Sequence, residues 1–166
     1  MNMQKSLEDL QQEVFSIVSQ SLSSIPLFNA MTEEQKKTVA AYMNYCDMAE
    51  GDVVFMEGEP GDYVCFVASG SLEVSKNSDK GRKVIAILQA GLSIGEMAVV
   101  DEKPRSANVI ALTPARLITM SKNNFEKLLV NDQKTGIMLL KAIIRVLSMN
   151  LRDASGSLTE NMMPVM

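Results

Sequence analysis

From Ile94 to Ala111 the chain reads Ile-Gly-Glu-Met-Ala-Val-Val-Asp-Glu-Lys-Pro-Arg-Ser-Ala-Asn-Val-Ile-Ala, and these residue types at this spacing suit the capture of an anion. Gly95 lets a ligand come close to the backbone, because no Cβ stands in the way. Glu96 to Val99 suffice for one helical turn, whose free N–H groups and positive end favour negative charge. Pro104 restricts the chain just before Arg105. Arg105 then opens an apolar run, where an inward-turned guanidinium needs an anionic partner. The stretch offers backbone donors, a planar cation in Arg105 and a carboxylate in Glu96 beside the glycine, which is binding chemistry.

Catalytic and metal chemistry are poorly served. The chain has no histidine, the commonest general base and metal ligand. Its two cysteines, Cys46 and Cys65, stand in strand-like apolar stretches without metal-ligand spacing and are expected to be small buried core residues. No catalytic residue, metal site or cofactor is therefore expected. A cupin-like enzyme, the obvious catalytic relative of a small barrel, would depend on the missing histidines. With 16 Lys and Arg against 20 Asp and Glu, the chain lacks the basic face of a nucleic-acid binder. There is no apolar run of about 18 residues and no signal-like N-terminus, so the expectation is a cytoplasmic protein with no membrane partner.

Around the central stretch, the elements that must position it fall into three groups. Residues 3 to 22 predict an amphipathic helix, with Met3, Leu7, Leu10, Val14 and Ile17 on one stripe and Phe15, Val18 and Leu22 on the next. Ser23 to Pro26 break it, and Thr32 with Gln35 reads as a capping box opening a helix that runs to about Met43. From Tyr45 to Met120 the character changes. Seven of the nine glycines lie between Gly51 and Gly95 and separate seven short apolar runs: Tyr45–Met48, Val53–Met56, Tyr63–Ala68, Ser71–Lys76, Lys83–Leu88, Ala107–Ala111 and Ala115–Met120. Close, turn-punctuated strands predict a sandwich or barrel, not βαβ units. After Ser121 the helical period returns. A final helix over about Gly136 to Asp153 carries Ile137, Leu140, Ile144, Leu147 and Leu151 as a heptad-like seam. That seam either packs on its own domain or pairs with a second copy. The expected organisation is an N-terminal helix (1–22), a central domain (23–153, barrel about 45–120, helices 121–153) and a flexible tail (154–166).

The stretch from Ile94 to Ala111 resembles the phosphate-binding cassette of the cyclic-nucleotide-binding domain of the catabolite activator protein (Crp/Fnr) type, a family that also includes the regulatory subunit of cAMP-dependent protein kinase. Gly51 to Asp62 resembles that family's first paired strands, Val64 to Val74 its next hairpin, and Ser24 to Phe28 with Thr32 its entry helix. The similarity runs over about residues 23 to 150, with the blocks in order. It implies a mainly β, α+β fold: an antiparallel β-jelly-roll barrel with N-terminal and C-terminal helices. It implies that Arg105 pairs with a cyclic phosphate and that Glu96 accepts a ribose 2′-hydroxyl. Gly95 and the N–H groups of Glu96, Met97 and Ala98 would line the pocket. Ser106 would add a hydroxyl, and Ala107 would complete the contact set. Base contacts are expected from Val64 and Ile87, with Lys141, Arg145, Ser148 and Asn150 as polar candidates on the last helix.

The expected function is a non-enzymatic sensor of a cyclic nucleotide, cAMP first and cGMP second, that signals by repositioning its C-terminal helices. The expected partners are the nucleotide, an effector protein, and a second copy docked through the N- or C-terminal helices. The alternative is a nucleotide-independent interaction or dimerisation module with a scaffold barrel. About 13 residues follow Asp153, too few for a winged helix-turn-helix. With the opening methionine, this favours a stand-alone protein over a fragment.

Overall fold

The computed structural model describes residues 6–79 and 81–162. Helix α1 (Leu7–Leu22) starts where Ser6 and Asp9 cap one another reciprocally, the Ser6 hydroxyl accepting from the Asp9 N–H at 3.1 Å. Met3 of the predicted stripe lies outside the described residues. A single 3₁₀ turn, Pro26–Phe28, leads into α2 (Glu33–Ala40), which opens with the predicted Thr32–Gln35 capping box and stops short of Met43.

Eight strands follow: β1 (Asn44–Met48), β2 (Val53–Phe55), β3 (Tyr63–Ser69), β4 (Ser71–Ser78), β5 (Gly81–Gln89), β6 (Ser93–Ile94), β7 (Asn108–Ala111) and β8 (Ala115–Ser121). The short helix α3 (Glu96–Asp101) interrupts them after β6, and α4 (Lys122–Asn131) and α5 (Gln133–Met162) close the fold. The strands form two four-stranded antiparallel sheets, ordered β1-β8-β3-β6 and β2-β7-β4-β5. This is the expected antiparallel β-barrel of the jelly-roll kind with flanking helices. Seven strands sit where the apolar runs predict them. Strand β6 escapes that reading, since two residues are too few to show alternation. Its pairing of Ile94 with Cys65 and Ser93 with Phe66 delivers Gly95 and Glu96 to the barrel.

Strand β3 is buried on both faces, which joins two cores. Val64 and Phe66, with Ile118 and Met120 of β8, face the helices and meet Val18, Leu22, Phe28, Val39, Phe125, Leu128, Leu139 and Ile143. Cys65 and Val67 face the other way, toward Phe55, Leu72, Val74, Val109 and Leu117 between the sheets. Each large apolar side chain removed from water here contributes about 1.5–3 kcal/mol. Cys65 is buried as expected, but Cys46 is exposed, because it lies on β1 at the edge of its sheet.

The C-terminal helix divides its seam. Leu139, Ala142 and Ile143 are buried, and Leu140 and Leu147 pack partly against the helical core. Ile137, Ile144 and Leu151 remain 49%, 55% and 69% exposed. The helix also runs past the predicted end at Asp153, as far as Met162.

At the corner between β3 and β4, the backbone before β8 leaves no room for a side chain. Gly70 adopts φ +81°, and a Cβ built there would lie 2.4 Å from the Pro114 carbonyl oxygen. Both the left-handed conformation and the clash oppose any side chain. Gly70→Ala is therefore expected to destabilise the fold by about 2–4 kcal/mol, read as a lower midpoint in urea unfolding with an unchanged slope.

Candidate ligand-binding site

The segment carrying Arg105 is held by backbone first. Its N–H donates to the Glu59 carbonyl at 2.8 Å, and its own carbonyl accepts from the Gly58 N–H at 2.9 Å. Both main-chain groups of the arginine are thus tied to the turn between β2 and β3. Asn108, three residues on and buried, braces the same turn: its side-chain oxygen accepts from the Glu57 N–H at 3.0 Å.

Held this way, the Arg105 side chain points inward and is 3% exposed. Its guanidinium carbon lies 4.1 Å from the centre of the Phe55 ring and 4.3 Å from that of Tyr63. Nη1 donates to the Gly95 carbonyl at 3.4 Å. Nε and Nη2 are buried with no hydrogen-bond partner among the described residues. Among the described residues no carboxylate lies within ion-pair distance of it. A buried cation with two idle donors is costly unless something negative meets it.

Gly95 completes the approach. It caps α3 at φ +84°, and a Cβ there would fall 2.4 Å from Arg105 Nη1, so only glycine lets the guanidinium reach this position. Glu96, the first residue of α3, is 6% exposed, and its Oε2 has no partner among the described residues. Burial raises its carboxyl above the usual glutamate range, with a backbone hydrogen bond opposing the shift in part. Arg105 and Glu96 both front one cavity of about 230 Å³, walled by Val74 and Ile85 of the second sheet and by Ile94.

Residues 46–132, more than half the chain, match the family model for the cyclic nucleotide-binding domain. The chain belongs to the cyclic nucleotide-binding domain family. The domain is 32% identical over 108 residues to a cAMP-dependent protein kinase regulatory subunit of Yarrowia lipolytica, covering 65% of this chain and 28% of that one. It is 27% identical over 115 residues to a CRP-like cAMP-activated global transcriptional regulator of Mycobacterium tuberculosis, covering 69% of this chain and 50% of that one. The match thus spans half or less of these curated relatives. A crystal structure of a cyclic nucleotide-binding domain from Methylobacillus flagellatus superposes with a TM-score of 0.80 at 27% identity, covering 93% of this chain and 87% of that one.

Within the domain, Gly95, Glu96, Met97, Arg105, Ser106 and Ala107 all line the cavity. Met97 and Ser106 are exposed at its rim, whereas Ala107 is buried. Ala98 lies in α3, but its side chain falls outside the described residues. The expected base-contacting residues fare differently. Val64 is buried in the helical core, not at the cavity, since the pleat turns it away from Cys65 on the inner face. Ile85 lines the wall where Ile87 was expected. Lys141 and Arg145 border a separate hollow beside Leu27 and Met31, and neither Ser148 nor Asn150 reaches the cavity. Phe55, Tyr63 and Lys76 were missed. Nothing in a linear pattern marks an aromatic ring as the neighbour of an arginine some 40 to 50 positions away.

The raised carboxyl of Glu96 has a stability consequence of definite sign. The folded protein takes up a proton here more readily than the unfolded chain. The charged form therefore lowers stability at neutral pH, and the penalty fades as pH falls through the raised value and below the ordinary 4.5. Glu96→Gln is expected to raise the melting temperature near pH 7, and the gap from the parent should close near pH 4 in paired calorimetric scans.

Proposed function

We propose that the cavity binds a cyclic nucleotide, cAMP in preference to cGMP, and that the domain is a non-catalytic regulatory sensor. The observation that carries the reading is the buried Arg105 guanidinium, whose Nε and Nη2 have no partner beside the cavity. Two adjacent N–H groups on one edge of a planar cation match two phosphate oxygens, with charge-assisted hydrogen bonds. Glu96, next in line and equally unpaired on Oε2, is suited to accept the ribose 2′-hydroxyl. Met97 and Ala98 contribute backbone N–H groups of α3, Ser106 a hydroxyl at the phosphate, and Ala107 a small wall. The relatives named cAMP-dependent and cAMP-activated support the choice of base.

The proposed output runs to the C-terminal helices. The Lys122 N–H, at the start of α4, donates to the Asp62 carbonyl at 2.7 Å. The Lys122 ammonium pairs with Glu102, which caps the far end of α3 in a left-handed conformation, φ +60°. A ligand that prefers one placement of α3 therefore biases α4 and α5, because only differential affinity shifts an equilibrium.

Calorimetric titration of cAMP and cGMP into the parent and Arg105→Ala tests the reading. The parent is expected to bind, and the variant to lose about 2–5 kcal/mol, at least about 30-fold in affinity. Absence of binding by the parent to both nucleotides at millimolar concentration refutes it.

The exposed row of Ile137, Ile144 and Leu151 favours a second, compatible reading: α5 pairs with α5 of another copy, with or without nucleotide. Apolar residues every seven positions are the spacing of such a seam. Sedimentation equilibrium should give a dimer for the parent and a monomer for Ile144→Glu. A monomeric parent at high concentration removes this reading.

A further inference from the structure

We infer that Phe55 and Tyr63 are positioning residues for Arg105, holding its guanidinium through their ring faces so that its Nε–Nη2 edge stays free for an anion. This inference rests on the proposed reading of the cavity as a phosphate site. The two rings come from different sheets, Phe55 from the end of β2 and Tyr63 from the start of β3. Their centroids are 6.4 Å apart and their planes 72° from one another, so they form an L-shaped corner. The guanidinium carbon sits in that corner, 4.1 and 4.3 Å from the two centroids. Tyr63 is itself fixed, its hydroxyl donating to the Val54 carbonyl at 2.7 Å.

The physical advantage lies in which part of the guanidinium is engaged. A carboxylate partner would hold the cation by its N–H edges, the same edges a phosphate must use. An aromatic ring attracts the cation through its quadrupole and takes up no N–H donor. With Nη1 turned to the Gly95 carbonyl, the remaining Nε–Nη2 edge is left for the ligand. The corner thus stabilises a buried cation without blocking it. The backbone of the same β2–β3 segment holds Arg105 through Gly58 and Glu59, so one continuous segment positions both main chain and side chain.

The test compares Phe55→Leu, Tyr63→Leu and Tyr63→Phe in the full chain, with two readouts. The first needs no ligand: the Nε–H resonance of Arg105, assigned by its disappearance in Arg105→Lys. Ring currents should shift it upfield in the parent. The second is the calorimetric dissociation constant for cAMP, with melting temperatures recorded beside it.

Tyr63→Phe keeps the ring and should preserve the upfield resonance and an affinity within about twofold of the parent. Each leucine variant should lose one ring's part of the upfield shift and bind cAMP about 3- to 30-fold more weakly. Should Phe55→Leu fold poorly, the half-buried Tyr63 pair carries the comparison. An Arg105 resonance that stays put in both leucine variants overturns the inference. So does a Tyr63→Phe variant as impaired as Tyr63→Leu, since the hydroxyl rather than the face would then matter. A parent that shows the ring-current signature but binds neither cAMP nor cGMP refutes the phosphate reading and leaves the aromatic positioning supported.

Discussion

A guanidinium buried to 3% exposure, with no carboxylate among the described residues within ion-pair distance, is the constraint around which the rest of the domain is arranged. A charge taken from water needs compensation, and here it comes in small parts. Two ring faces, one carbonyl and a pair of main-chain hydrogen bonds hold Arg105. None of these uses the Nε–Nη2 edge. The barrel supplies the geometry: β2 and β3 bring the rings and the turn, β6 brings Gly95, and β7 follows from Arg105 itself. A side chain at Gly95 would overlap Nη1, so the glycine is part of the same arrangement.

Glu96 carries the opposite charge under a similar constraint. It is buried, partly unpaired, and raised above the usual carboxylate range by desolvation. Arg105 and Glu96 face one cavity, but among the described residues they do not neutralise each other as an ion pair. A fold selected only for stability would join them or replace both with apolar groups. In the proposed function, Arg105 and Glu96 divide polar recognition between an anionic and a hydroxyl-bearing part of the ligand. That division is what the proposed cyclic nucleotide presents.

The sequence made much of this legible, and the limits have physical causes. Arg105 and Gly95 were readable because their types have few uses at such positions: a cation opening an apolar strand and a glycine before a helical turn. Seven strands were readable because glycine turns punctuate them. Strand β6 was not, because two residues carry no period. Phe55 and Tyr63 were missed because an aromatic residue in a strand reads as core, and Phe55 is indeed in the core as well as against the arginine. Val64 was misplaced because alternation in a strand buried on both sides does not reveal which face meets which layer. Cys46 misled because an edge strand can carry an apolar-looking run and still expose it.

The two cores also limit how a signal can leave the site. The cavity opens on the inter-sheet core, whereas α4 and α5 pack on the helical core across β3 and β8. Packed cores resist continuous deformation, so a small change at Arg105 is poorly transmitted through Cys65 and Val67 to the helices behind them. The route around the barrel is softer. Helix α3 ends at the strained Glu102, which pairs with Lys122 at the start of α4, a contact between an exposed carboxylate and a half-buried lysine rather than between core groups. In the proposed function, a movement of α3 is passed to the start of α4 through this contact, where little packing must be remade. In the proposed function that places the sensing residues and the exposed Ile137–Leu151 row at opposite ends of one short mechanical path.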